Sequence, residues 1–149
     1  MIKKLGFFML CGLLFLSLSG CGGIMHRVKG DKFLNSGQYN EAIAEYEEGL
    51  KAYSADTGPN ALRFGILNSL GYAYDMVDNN DKASKYYLMS IEAYPERGYY
   101  GYINLAGLNY RIGNLKGAYE YSQKAKELVN SSKVGNWSAY ETSVKNAVI

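Results

Sequence analysis

Three stretches of this chain can be laid over one another, and that constrains the fold more than any single residue does. Gly37-Gln38-Tyr39-Asn40-Glu41-Ala42, with Tyr46 four residues on, aligns with Gly113-Asn114-Leu115-Lys116-Gly117-Ala118; the middle copy is Asp78-Asn79-Asn80-Asp81-Lys82-Ala83, followed by Tyr87. Each block reads as a tight turn that opens a helix. Upstream of the blocks stand Gly30 and Phe33, then Leu70-Gly71 and Tyr74, then Leu105-Ala106 and Asn109. A small residue there lets two helices touch, and a large side chain three positions on fills the gap beside it. The chain holds only 2 prolines in 149 residues and shows no strand-like alternation, which argues for helices throughout.

The blocks recur near the 34-residue period of a helix-turn-helix repeat. The pattern resembles the tetratricopeptide repeat, with its small residues at Gly30, Gly71 and Ala106 and at Ala42, Ala83 and Ala118. The resemblance implies an all-α helical-repeat solenoid, with repeats at about 23–56, 64–97 and 99–132 and a C-terminal capping helix at about 136–148. Helices are predicted over Ile24 to Asn35, Asn40 to Tyr53, Asn60 to Val77, Asp81 to Tyr94, Arg97 to Arg111 and Leu115 to Val129. Pro95 should stop the fourth. Lys29, Gly49, Asn109 and Ser122 depart from the pattern, so copies one and three match it more loosely than copy two. Ala42 to Ala83 spans 41 residues and Ala83 to Ala118 only 35. The excess in the first interval predicts a third helix lengthened at its start, with Pro59 in its first turn, or else a longer loop over Ser54 to Asn60. Trp137, Tyr140, Val144 and Val148 fall at helical spacing, as a helix covering the last repeat would require.

The front of the chain has a separate character. Lys3 and Lys4 precede an uncharged core from Leu5 to Leu16, and small residues follow to Gly20, a pattern that predicts an export signal over residues 1–20. The apolar core is shorter than the roughly 20 residues a spanning helix needs. Leu18-Ser19-Gly20-Cys21 resembles the lipobox of bacterial lipoproteins, which implies lipidation of Cys21 as the first mature residue. Cys11 would leave with the signal, so no pair remains for a disulfide. Residues 21–149 keep 14 basic and 14 acidic residues, and this neutrality gives no reason to expect a nucleic-acid partner.

Catalysis calls for convergent nucleophile, base or metal ligands. The one histidine, His26, stands at a packing position, and the sequence shows no phosphate loop, zinc spacing or nucleophile elbow. Glu41, Glu45, Glu47 and Glu48 read as a solvated helix face. No enzyme activity, metal, cofactor or small-molecule substrate is therefore expected.

In the tetratricopeptide fold the first helix of each repeat lines a peptide-binding groove. Carried over by position, the resemblance implies a groove of Arg27 and Asp31 in copy one, Asn68, Tyr72 and Asp75 in copy two, and Tyr100, Asn104, Tyr110 and Arg111 in copy three; Leu34 and Met76 lie beside them. Asn amides can bond an extended backbone, and tyrosine rings can pack on it. Members that clamp a terminal carboxylate use Lys, Asn, Asn, Lys and Arg, where this chain has Arg27, Asp31, Ser69, Tyr100 and Asn104. A carboxylate clamp is not expected.

Lipobox and repeats together resemble small lipoproteins that assemble envelope complexes, type IV pilus and secretion machinery foremost. The expectation is a membrane-anchored scaffold or assembly factor holding a protein partner that is itself in or at the membrane. Two alternatives stay open: a glycan- or peptidoglycan-binding module using Tyr72, Tyr100 and Tyr110, and a purely structural subunit of an envelope complex. Gly22, in place of an aspartate, implies the periplasmic face of an outer membrane where the organism has one. Copy one begins so near Cys21 that only Gly22 and Gly23 would separate lipid from helix, a short mount that favours such a partner.

Overall fold

The computed structural model describes residues 22–53 and 60–131. Among these residues every regular element is helical: α1 over 22–35, α2 over Tyr39–Lys51, α3 over Ala61–Met76, α4 over Asn80–Ala93, α5 over Gly98–Arg111 and α6 over Leu115–Ser131. A 3-10 turn at Pro95–Arg97 links α4 to α5. Tyr94, forced out of the helical region by the proline after it, is extended at φ −154°, and α4 ends there as expected. Neighbouring helices pack in pairs, α3 with α4 and α5 with α6, with α2 against α3 and α4 against α5 between the pairs.

The turns inside the hairpins are copies of one another. Gly37, Asp78 and Gly113 all take positive φ, at 74°, 58° and 81°, and each stands five residues before its alanine at 42, 83 or 118. In each turn the next residue donates its N–H back across it: Gln38 to the Phe33 carbonyl, Asn79 to that of Tyr74, and Asn114 to that of Asn109, all at 2.9 Å. These bonds satisfy carbonyls that the end of the first helix leaves open. Asn79 and Asn114 then cap the second helix, their side chains accepting from the N–H groups of Lys82 and Gly117. The uneven spacing of 41 and 35 residues is thus kept in three equivalent turns, and the difference falls between hairpins.

Inside each of the first two hairpins a glycine faces a tyrosine. A Cβ on Gly30 would stand 2.6 Å from the Tyr46 ring, and one on Gly71 would stand 2.5 Å from the Tyr87 ring. Only glycine permits so close an approach. Tyr46 and Tyr87 are fully buried, and with Ile66, Leu70, Ala73, Tyr74, Leu105 and Leu108 they form the main core. Phe64, Leu67 and Ala93 make a second cluster where α3 begins and α4 ends. In the third hairpin the corresponding pair is Ala106 and Ser122, and the expected looseness is filled with hydrogen bonds instead. Ser122 donates to the Tyr119 carbonyl at 2.7 Å and buried Asn109 donates to the Leu105 carbonyl at 2.8 Å. Asn109 also accepts from the Asn114 amide at 2.7 Å, and a Cβ at Gly117 would collide with both amides.

Several expectations need correction. α3 starts at Ala61 with Asn60 as its cap, the Asn60 side chain accepting from Leu62 and Arg63, so the helix does not reach back to place a proline in its first turn. Asn60 also donates its N–H to the Ala93 carbonyl at 2.9 Å, tying this start to the end of α4. Gly22 and Gly23 are helical, so the slack assigned to them is absent. Glu45 and Glu47 are half-buried and bonded across helices, to His26 at 2.7 Å and from the Tyr74 hydroxyl at 2.7 Å; of the four glutamates only Glu41 and Glu48 stay exposed. Cys21, Pro59 and the segment from Asn136 to Val148 lie outside the described residues.

Candidate functional site

The first helices of the hairpins, α1, α3 and α5, lie side by side, and of the residues singled out in the sequence Arg27, Asn68, Asp75, Tyr100, Asn104 and Arg111 meet a neighbouring helix there. Between α3 and α5 the contacts keep a constant offset. Asn104 donates to the Asn68 carbonyl oxygen at 2.9 Å, the Arg111 guanidinium pairs with the Asp75 carboxylate, and the Phe64 and Tyr100 rings meet at 6.3 Å; each pair is 36 residues apart. That is one more than the 35 residues from Ala83 to Ala118, as expected where one helix is laid beside the next with little slippage.

α1 joins the face through Arg27. Its guanidinium lies over α3 where Gly65 has no side chain, 3.0 Å from where a Cβ would stand. It also reaches Asp31 one turn on, at 3.8 Å. Asp31 accepts the Tyr46 hydroxyl at 2.6 Å. Burial, reinforced by this carboxylate, raises the Tyr46 hydroxyl well above the usual phenol range. Arg27 and Asp31 therefore serve the α1 to α2 contact as well as the shared face.

Not every predicted residue is free to meet a ligand. Asp75 is only 5% exposed and lies between Arg111 and the Tyr87 hydroxyl. Burial first, and then the Asp75 charge, pushes the Tyr87 hydroxyl far up. Asp75 is thus an internal brace, whereas Arg111 keeps nearly half of its side chain in solvent. Tyr72, Tyr100 and Tyr110 are 43%, 43% and 42% exposed, so each presents a ring surface. Tyr100 does so while packed on Tyr99, with ring centroids 4.2 Å apart. Asn68 and Asn104 are half-buried, and their mutual bond leaves the Asn68 NH2 and the Asn104 carbonyl oxygen to other partners.

Sequence reasoning missed the two glycines of this face. Gly65 makes room for Arg27, and Gly107, one turn beyond Asn104, has open space where its Cβ would stand. A glycine inside a helical pattern, away from any turn, is the signal that could have found both. His26, set aside as packing, bonds Glu45 and leans on Gly49, which locks α1 to α2. Among the described residues no group of histidine, cysteine and carboxylate side chains could hold a metal ion, and no helix is long and apolar enough to cross a membrane. No protein-family model matches the chain, and no curated protein matches it either.

Proposed function

We propose that this chain is a tetratricopeptide-type lipoprotein, anchored through Cys21 in a bacterial envelope, that holds an extended peptide of a membrane-associated partner on the face of α1, α3 and α5. The observation that carries this reading is the Asn68 and Asn104 pair. It offers one amide donor and one carbonyl acceptor side by side on a helical face, the complement of an extended backbone. Three hairpins with the same turn, glycine-to-tyrosine contacts in two of them and a constant offset between α3 and α5 support the repeat assignment. The exposed rings of Tyr72, Tyr100 and Tyr110 supply apolar area on α3 and α5. The role proposed is a scaffold or assembly factor for an envelope complex, pilus or secretion machinery in its most specific form, at the periplasmic face of the outer membrane where there is one.

The test is in-cell crosslinking followed by affinity capture from detergent-solubilised envelopes, comparing the parent chain with Asn68→Ala/Asn104→Ala. A partner recovered with the parent and lost from the variant supports the reading. A partner retained by the variant moves binding off this face, towards a structural subunit. Sedimentation with purified peptidoglycan that Tyr72→Ala, Tyr100→Ala or Tyr110→Ala abolishes would replace a peptide with a glycan.

A further inference from the structure

α1 has a second face that the hairpins do not use. Its inner side is fully engaged: Gly23 and Gly30 are buried, and His26 bonds α2. On the outer side Ile24, Met25 and Val28 are 47%, 62% and 62% exposed, and Lys29 and Lys32 follow on the same stripe, also exposed. The stripe therefore runs apolar, then basic, and the one carboxylate of α1, Asp31 at its edge, is engaged by Arg27 and the Tyr46 hydroxyl. Neither lysine has an acidic partner among the described residues, whereas Arg27 on the inner side is paired with Asp31.

We propose that this outer stripe is a bilayer-docking face that lies on an anionic lipid surface, Ile24, Met25 and Val28 entering the headgroup region and Lys29 and Lys32 meeting lipid phosphates. The inference rests on lipidation of Cys21 and adds an orientation to it. α1 is already helical at residue 22, the next residue after that cysteine in the sequence. Val28 lies six residues further on, about 9 Å along the helix. The start of α1 cannot swing away, because a Cβ on Gly23 would stand 2.6 Å from the Tyr53 ring and 2.8 Å from Ala52; that closeness clamps the helix to the end of α2. An acyl chain at Cys21 would thus hold the apolar residues at the membrane rather than merely near it. Apolar residues at headgroup depth with lysines one turn on, their stems extended toward phosphates, form the pattern of an interfacial helix.

The experiment uses the full chain, exported and processed by a bacterial host, then reconstituted into vesicles of phosphatidylethanolamine and phosphatidylglycerol. Val28→Cys and, as a control at the other end of the helical series, Leu115→Cys each supply one free thiol; Leu115 is 65% exposed. Intact mass reports acylation of Cys21 separately, and circular dichroism confirms the fold of each variant. The residue-28 thiol should react with a membrane-impermeant maleimide about tenfold or more slowly than the residue-115 thiol, as burial at headgroup depth demands. Adding Lys29→Glu and Lys32→Glu should largely remove the difference. Acylated protein with equal reactivity at both sites would overturn the docking face and leave the anchor standing. Protein without acyl mass would overturn both. Protection at residue 28 in cells but not on vesicles would assign the stripe to a protein partner and overturn the lipid assignment.

Discussion

A methyl group at Gly71 and one at Gly107 should move stability in opposite directions, although both glycines sit inside helices. At Gly71 the new carbon meets the Tyr87 ring at 2.5 Å, in a core where neither α3 nor α4 can retreat without losing contacts. Gly71→Ala is expected to destabilise by about 1–3 kcal/mol, the usual cost of overpacking. At Gly107 the carbon enters open space, so Gly107→Ala should stabilise by up to about 1 kcal/mol through helix propensity alone. Thermal melts of the two variants decide it, and a fall of melting temperature in both would mean that Gly107 is held by a contact of its own. A pattern of small residues at the repeat period announced Gly71; Gly107 lies off that pattern, and only the position of its neighbours tells the two apart.

The hairpin turn is the element on which the fold depends, and its three copies differ in informative ways. Asp78 holds the positive φ that Gly37 and Gly113 hold without penalty, so Asp78→Gly should stabilise by about 0.5–1 kcal/mol. Asn79 and Asn114 both cap a helix, but Asn114 also bonds buried Asn109. Asn79→Ala should therefore cost about 1 kcal/mol, the value of a cap. Asn114→Ala should cost more, about 2–3 kcal/mol, because it also strips a partner from a buried amide. Urea titration of the two variants measures the gap, and equal midpoints would show that the Asn109 amide finds another partner. The turns were readable from the aligned blocks, since a turn is built from adjacent residues. The cap at Asn60 was not: Asn60 was expected inside the helix with Pro59 in its first turn, whereas Asn60 is the residue whose side chain serves Leu62 and Arg63 while its own N–H reaches Ala93.

Across the whole molecule the buried tyrosines set a limit on alkaline stability. Burial, with a bond to Glu47 behind it, pushes the Tyr74 hydroxyl up to about 12, and burial raises Tyr46 and Tyr87 further. A tyrosine in the unfolded chain titrates near 10, so folding favours the protonated form. That contribution is fully present below about pH 10 and is lost as pH rises through the folded values. Urea midpoints should stay level to about pH 10 and fall beyond it, and Tyr74→Phe should lessen the fall; a flat profile to pH 12 would contradict the buried placement of these hydroxyls. The residues of the shared face were named from a repeat resemblance, and they do lie on α1, α3 and α5, the first helix of each hairpin. Their separate roles were not legible. Asp75 and Tyr72 both looked like lining residues, yet one is buried under Arg111 and against Tyr87 while the other is 43% exposed. What the sequence determined by itself was local and periodic: that the chain is helical, where it turns, and which small residues sit where helices meet, since turn chemistry and period act over a few residues. Only the tertiary structure decided which charges are braces, that Arg27 lies over Gly65, and that α1 keeps an apolar outer stripe exposed, because each depends on which helix ends up beside which.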